Sequence, residues 1–95
     1  MAKNIITAYL KAFRFEQDND LWTAYSDELG IASCGRTQDE SEDNLRNAVL
    51  VHFRSLDKRH RLVEILRQKN VRFEVAHESR RTKQHSRTIE YEQRV

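Results

Sequence analysis

The stretch "LWTAYSDELGIASCGRTQDESEDNLRNAV", residues 21–49, changes its hydrophobic period once and so decides the fold. Trp22 and Ala24 alternate with polar or opposite-facing residues, and this period of two predicts a strand over 21–26. The following "DELG" reverses the chain, and "IASCGR" predicts a third, short strand in which Gly35 marks a bulge or close packing. The first half of the stretch is therefore expected to be β-structure.

At Thr37 the spacing becomes helical. The run "TQDE" matches a capping box, in which the Thr37 hydroxyl accepts from the Glu40 amide and the Glu40 side chain reaches back to the Thr37 amide. Acidic residues crowd this end, where the helix dipole favours negative charge. Apolar-face residues then recur at helical spacing: Leu45, Ala48, Val49, His52 and Leu56. We expect one helix over about 38–56.

Upstream, "IITAYLKAFRFE" (5–16) predicts a strand that is apolar on both faces. One face carries Ile6, Ala8, Leu10 and Ala12, and the other carries Ile5, Tyr9, Phe13 and Phe15. One face is expected to pack on helices, and the other to lie inside a larger sheet or at a subunit contact. We therefore predict at least a dimer, with Tyr9, Phe13 and Phe15 as the candidate contact. Asp and Asn residues in 17–20 predict the turn that completes a hairpin.

Downstream, "DKRH" (57–60) is polar enough to break or bend the helix, although a continuous helix remains an alternative. Apolar residues in 62–66 predict a second short helix, which Asn70 can end in left-handed geometry. Residues 71–76 alternate cleanly, which predicts a fourth strand with Val71, Phe73 and Val75 inward. The expected class is α+β: a three-stranded antiparallel meander, one or two helices and a fourth strand (β-β-β-α-α-β).

The expected domain covers residues 1–76, and residues 77–95 form a basic C-terminal tail. Only Ile89, Tyr91 and Val95 are apolar in this tail, so it is expected to be disordered or to form a strand only against a partner chain. Its basic residues are candidates for sequence-independent phosphate contacts: Arg80, Arg81, Lys83 and Arg87. Nucleic-acid binding through these residues is therefore one of the expectations.

The formal net charge of +2 hides an asymmetry. Residues 1–45 carry four Lys or Arg against nine Asp or Glu, whereas residues 46–95 carry thirteen against six. Such chains often bind a charged partner or themselves, although many of these charges simply solvate exposed faces. The single cysteine cannot form an internal disulfide, and no signal segment or membrane-length apolar run is present, so a cytoplasmic location is expected.

No catalytic constellation stands out. Cys34 has no histidine at a diagnostic spacing and is expected to be a small buried hydrophobe. His52 and His60 are eight residues apart, which is not zinc-ligand spacing, and His52 is expected to be a core or interface histidine. Asp18, Asp20 and Asp27 could hold a metal but are far more typical turn formers. We expect a binding protein, not an enzyme, without metal or cofactor.

The motif F-x-x-D-x-x-x-W-x-A-x-x-x-x-L-G-I-x-x-x-G-x-T-x-x-E, from Phe15 to Glu40, resembles the HicB-like antitoxin family. The matches are Trp22, Ala24, Leu29, Gly30, Gly35, Thr37, Glu40, Leu45 and Ala48. The chain departs from the family at three places. Ser26-Asp27 replaces a proline before the turn, Asp18-Asn19-Asp20 replaces a glycine-bearing hairpin, and Ser41 replaces the alanine after the helix-start glutamate.

The resemblance implies a partial ribonuclease-H-like fold, a sheet of about four strands with helices on one face and no catalytic carboxylates. Family members typically form dimers or larger assemblies and neutralise a small toxin, of double-stranded-RNA-binding-domain type, that cleaves messenger RNA. Many also carry a C-terminal DNA-binding segment. Three apolar side chains in residues 77–95 are too few for two packed helices, so no helix-turn-helix is expected there.

Two functional hypotheses follow. In the first, the protein is a non-catalytic antitoxin whose acidic half covers a small basic toxin; the candidate partner-binding residues are Asp27, Glu28, Asp39, Glu40, Glu42 and Asp43. Helix capping and solvation are the plain alternative for these acids. In the second, the protein is a solitary oligomeric module that contacts nucleic acid or another protein through its basic half.

Overall fold

The computed structural model describes residues 3–76 and 88–94, which contain six strands and two helices. In chain order the elements are β1 (Lys3–Tyr9), β2 (Arg14–Asp18), β3 (Leu21–Ser26), β4 (Ile31–Gly35), α1 (Gln38–Lys58), α2 (Leu62–Gln68), β5 (Arg72–Ala76) and β6 (Thr88–Arg94). The α+β class is confirmed, as is the three-stranded meander followed by helices. The structure has two more strands than predicted.

The strands form two antiparallel sheets. One sheet has the order β2-β3-β4 and is built from consecutive strands. The other has the order β5-β1-β6, so β1 is its centre and two later segments flank it. The register sets Ile6 opposite both Val75 and Tyr91. Because directly paired residues share a face, these three side chains lie on the same side of the sheet.

The strand predicted over 5–16 is in fact two strands, and this part of the prediction was wrong. The backbone amide of Lys11 donates to Glu28 Oε1 at 3.0 Å, so a side chain takes the place of a neighbouring strand. Leu10 is buried while Ala12 is exposed, although both were assigned to one face. The chain leaves β1 at this point and enters a different sheet as β2.

The prediction for residues 77–95 was also wrong in its last part. Residues 88–94 form the strand β6, which pairs with β1 of the same chain from Lys3–Arg94 to Tyr9–Thr88 and needs no partner chain to do so. Ile89 is 1% exposed and belongs to the core, so few apolar residues suffice where the core already exists. Residues 77–87 lie outside the described residues.

The core is one cluster in which α1 supplies the largest fully buried side chain, Phe53. Leu45, Val49 and Phe53 are fully buried on one face of α1, which contacts β3, β4 and β6, while α2 contacts β5. Aliphatic residues from both sheets and α2 complete the cluster: Ile6, Ala8, Leu10, Ala24, Leu29, Leu62, Leu66, Val71 and Ile89. A single helix thus joins the two sheets.

Gly35 permits the close approach of β4 to the start of α1. A Cβ atom at this position would lie 2.5 Å from the Ser41 backbone nitrogen, a distance that no side chain tolerates. Ser41 is itself fully buried, and its hydroxyl donates to the Gln38 carbonyl at 2.7 Å. The prediction of close packing at Gly35 is therefore confirmed, and a small residue at position 41 fits the same contact.

The polar run at 57–60 does break the helix. His60 takes a left-handed φ of 57° between α1 and α2, and Asn70 takes the same φ after α2, as predicted for a helix end. Val71 is buried, but Val75 is 45% exposed and not inward as predicted. Val75 shares the face of Ile6, yet β5 is at the margin of its sheet and the helices do not cover that end of the strand.

Candidate functional site

The start of α1 carries the capping arrangement expected from the sequence, with one difference. Thr37 Oγ1 accepts a hydrogen bond from the Glu40 amide at 3.0 Å, as predicted. The Glu40 carboxylate accepts from the Arg36 amide at 3.2 Å, not from the Thr37 amide. Glu40 therefore stabilises the junction between β4 and α1 as well as the helix end. Asp39 and Asp43 remain exposed beside it.

The structure separates the six predicted partner-binding acids into two groups. Asp27 and Glu28 precede β4 and the other four follow it, so the five residues of β4, about 17 Å of strand, lie between them. Arg14 donates from Nε and Nη2 to the two Asp27 carboxylate oxygens, both at 3.0 Å. These bonds hold the pKa of Asp27 below its usual value and compensate its charge. Glu28 accepts from the Lys11 amide.

Two acids that the sequence assigned to the β2–β3 turn also lie beside Arg36, just before the start of α1. The pairing of Trp22 with Gly35 places the β2–β3 turn next to Arg36. A cavity of about 660 Å³ is lined by Asp18, Asn19, Asp20, Leu21 and Arg36. The turn role is confirmed as well, since Asn19 has a φ of 56°. Only the pairing register of β3 with β4 shows that these acids lie beside Arg36, and the sequence does not specify that register.

We call this region the acidic end and define it by Asp18, Asp20, Asp39, Glu40, Glu42 and Asp43. Four of these residues lie within 39–43 at the start of α1, Asp18 is the last residue of β2, and Asp20 lies in the turn that follows it. All except Glu42 are exposed, and Glu42 is half-buried. The two segments adjoin the same residue, Arg36, which lines the cavity with Asp18 and Asp20 and whose amide donates to Glu40.

A groove runs from the acidic end along α1, between this helix and β6. It consists of two cavities, of about 320 and 470 Å³, that share Leu50. The first is lined by Asp43, Arg46, Asn47, Leu50, Ile89 and Glu90, and the second by Leu50, Arg54, Asp57, Lys58, Tyr91 and Glu92. Asp43 thus belongs to both the acidic end and the groove, whose remaining charges are of mixed sign.

Polar contacts attach β6 to α1 along this groove. Arg46 Nη2 donates to the Thr88 carbonyl at 2.8 Å. Asp57 accepts from the Tyr91 hydroxyl at 3.1 Å and from Gln93 Nε2 at 2.6 Å. The Tyr91 ring meets Phe53 edge-on, with centroids 6.4 Å apart. Burial, and secondarily the hydrogen bond to Asp57, raises the pKa of Tyr91.

The three candidate oligomer residues are not on one surface. Phe13 and Phe15 are partly buried against the core of their own chain. Tyr9 lies on the face of the β5-β1-β6 sheet that points away from the core. There its hydroxyl donates to Glu74 Oε2 at 3.0 Å, and the Arg72 guanidinium lies 5.2 Å from its ring centroid. The hydrogen bond to Glu74 raises the pKa of Tyr9. The candidate nucleic-acid residues Arg80, Arg81, Lys83 and Arg87 lie outside the described residues.

Cys34 is exposed, so the prediction of a buried cysteine was wrong. Gly35 faces the start of α1, and the period of two therefore turns Cys34 to the outer face of the sheet, opposite Thr23. His52 is half-buried on α1 and does not belong to the core cluster, and burial lowers its pKa with a smaller contribution from Lys69. No group of three or more potential metal ligands occurs within residues 3–76 and 88–94.

In the part of the chain that the structure describes, neither helix has the length and apolar character needed to cross a bilayer. Comparison of the chain with protein-family models, with curated proteins and with solved structures finds no match in any of the three.

Proposed function

We propose that this protein is a non-catalytic, antitoxin-like inhibitor that binds and occludes a small basic toxin of double-stranded-RNA-binding-domain type. The observation that carries the proposal is the acidic end, where acids of α1 and of the β2–β3 hairpin adjoin the same residue, Arg36. The resemblance of residues 15–40 to HicB-like antitoxins supplies the class of partner.

An RNA-cleaving protein needs a basic surface to hold its phosphate substrate, and a carboxylate-rich surface competes for that same region. Complementary charge speeds the encounter and selects the partner, while close packing excludes the substrate. Asp27 and Glu28 contribute less than the sequence suggested, because Arg14 compensates Asp27 and Glu28 binds a backbone amide. Asp43 is the best-placed acid, since it also lines the groove beside β6.

The first experiment is a pull-down of the tagged full chain from its native cells at moderate salt, followed by mass spectrometry. A stoichiometric small basic protein supports the proposal, and recovery of the chain with only itself contradicts it. The captured protein is then titrated against the double variant Glu42→Lys/Asp43→Lys by calorimetry. We expect binding to weaken by tenfold or more, because each reversal replaces an attraction by a repulsion.

The matched control is Glu16→Lys/Glu64→Lys, which makes the same change in net charge at exposed positions outside the acidic end. Affinity reduced equally by both variants would indicate a general charge effect and would contradict a contact at the acidic end. Thr37 and Glu40 are left intact in both variants, so that the helix cap is preserved.

A second candidate function has its own observation. Lys58, Arg59, His60 and Arg61 are all exposed at the junction of α1 and α2. Such a basic cluster can contact phosphates without reading bases, as a solitary module of this kind would. A salt titration of binding to a labelled single-stranded RNA tests it: Arg59→Ser/Arg61→Ser should reduce the salt slope by about 1.4, and an unchanged slope would contradict it.

A further inference from the structure

The margin of the β5-β1-β6 sheet carries a strand whose outer edge has no partner among the described residues. β5 bonds to β1 on one side only, and four of its five residues are exposed. Native proteins usually protect such an edge with proline, a bulge or a covering segment. This chain contains no proline at all. Val75 is 45% exposed here, one of only three large apolar residues so exposed among the described residues.

The two faces of β5 have different characters. Phe73 and Val75 pair with Ala8 and Ile6, and so lie on the core-facing side of the sheet, although the helices leave Val75 uncovered. Arg72 and Glu74 lie on the opposite face, with Tyr9 between them. Within residues 3–76 and 88–94, Arg72 stacks on Tyr9 but forms no salt bridge with Glu74.

We propose that the occupant of this edge is β5 of a second copy of the chain, paired antiparallel about a two-fold axis at Phe73. In this register Arg72 stands directly opposite Glu74 of the second copy, and Glu74 opposite its Arg72. Two cross-strand ion pairs form, one on each side of the axis, and such pairs stabilise a sheet. On the helix side, Phe73 meets its own copy and Val75 meets Val71. The result is a continuous six-stranded sheet with all helices on one face.

Neighbouring registers are worse for stated reasons. A two-residue shift sets Glu74 against Glu74 or Arg72 against Arg72, and like charges directly opposite are destabilising. A one-residue shift turns the helices of the two copies to opposite faces and sets apolar Phe73 against a charged residue. The pattern Arg-Phe-Glu-Val is thus self-complementary in one register only. This inference is independent of the proposed inhibitor function, because the acidic end lies elsewhere on the chain.

Charge exchange tests the proposal. We expect the full chain to have twice the 11.3 kDa mass of one chain by light scattering at tens of micromolar. Arg72→Glu and Glu74→Arg, each alone, should weaken the dimer by about tenfold or more, because two attractions become two repulsions. The double variant Arg72→Glu/Glu74→Arg restores opposite charges and should restore the dimer. Glu16→Arg, on the edge strand β2, is the matched control and should leave it unchanged.

Cross-linking tests the register without relying on charge. In a Cys34→Ser background, Phe73→Cys places two thiols across the axis with Cα atoms about 4.5–5.5 Å apart, within disulfide range. Val75→Cys is the control, since its two copies are about 14 Å apart along the strands. Covalent dimer for Phe73→Cys alone supports the proposal. A monomeric wild-type chain, a dimer indifferent to both single reversals, or equal cross-linking of both cysteine variants would overturn it.

Discussion

The two sheets of this protein differ in how much chain separates their strands. The β2-β3-β4 sheet is built from residues 14–35 with two short turns, whereas the β5-β1-β6 sheet joins residues 3–9 to strands that begin at 72 and 88. Local strands close small loops, but distant strands must offset a larger loop-closure entropy. The second sheet therefore depends on contacts made by other elements, above all by α1.

The two sheets are also held to α1 by different chemistry. Gly35 lets the backbone of β4 touch the start of α1, with the Thr37 cap directly beyond it. At the other sheet, β6 is held by side chains of α1: Arg46, Phe53 and Asp57. The first attachment is a backbone packing contact, and the second is a set of side-chain bonds that substitution can remove singly.

The largest expected effect comes from Phe53→Ala, which removes the largest fully buried side chain of the core among the described residues. Phe53 is fully buried in the core and its ring meets Tyr91 of β6. We expect a loss of about 3–5 kcal/mol in the free energy of unfolding, measured by urea denaturation. The control Val51→Ala, 61% exposed on the same helix, should change it by about 0.5 kcal/mol or less. Similar losses for both variants would refute the assignment of Phe53 to the core.

An intermediate and more selective effect is expected for Asp57→Ala. This change removes the acceptor of both Tyr91 and Gln93, and we expect a loss of about 1.5–3 kcal/mol. Amide hydrogen exchange should accelerate in β6 and remain unchanged in β2–β4, because Asp57 accepts hydrogen bonds from β6 of the β5-β1-β6 sheet.

The matched variant is Thr37→Ala, which removes the helix cap where β4 meets α1. It should lower the free energy of unfolding by about 1 kcal/mol. Here exchange should accelerate at the start of α1 and not in β6. Uniform acceleration over both sheets in either variant would show that they open as one unit and would break the comparison.

The smallest effect is pH dependence. The pKa of Tyr91 is raised in the folded state by burial and by Asp57, so its stabilising contribution is full below its unfolded pKa near 10 and is lost as pH rises through the folded pKa. Unfolding titrations from pH 8 upward should show this decline, and Tyr91→Phe should reduce its slope.

Tyr9→Phe is the comparison variant, since the pKa of Tyr9 is raised mainly by its bond to Glu74 rather than by burial. His52 affects stability at acidic pH. Its lowered pKa gives stability that is full above its unfolded pKa near 6.5 and is lost as pH falls. A stability profile that is flat from pH 5 to 11 would contradict both assignments.

Much of the local structure could be predicted from the sequence. The Thr37 cap, the close packing at Gly35 and the left-handed Asn70 each follow from the chemistry of one residue and its immediate neighbours. Cys34 and Val75 were misplaced for a different reason. Strand periodicity says which residues share a face, but not which face is covered nor where a helix ends over the sheet.

The acidic end shows the same division. The sequence indicated the acids at the helix start, because a helix N-terminus attracts them. Pairing of β3 with β4 brought Asp18 and Asp20 next to Arg36, while β4 separates Asp27 from the helix start and Arg14 compensates its charge. Both corrections depend on which strands are adjacent.

The sequence by itself determined the α+β class, the meander and a helix over about 38–56, since these rest on hydrophobic period, turn residues and caps within a few positions. It left open whether the polar run at 57–60 breaks that helix. Only the tertiary structure decided that the first strand divides at Lys11, that β6 pairs with β1 and that α1 joins the two sheets. The physical reason is that residues far apart in the chain compete for the same backbone edges and the same core, and the sequence does not show which of them wins.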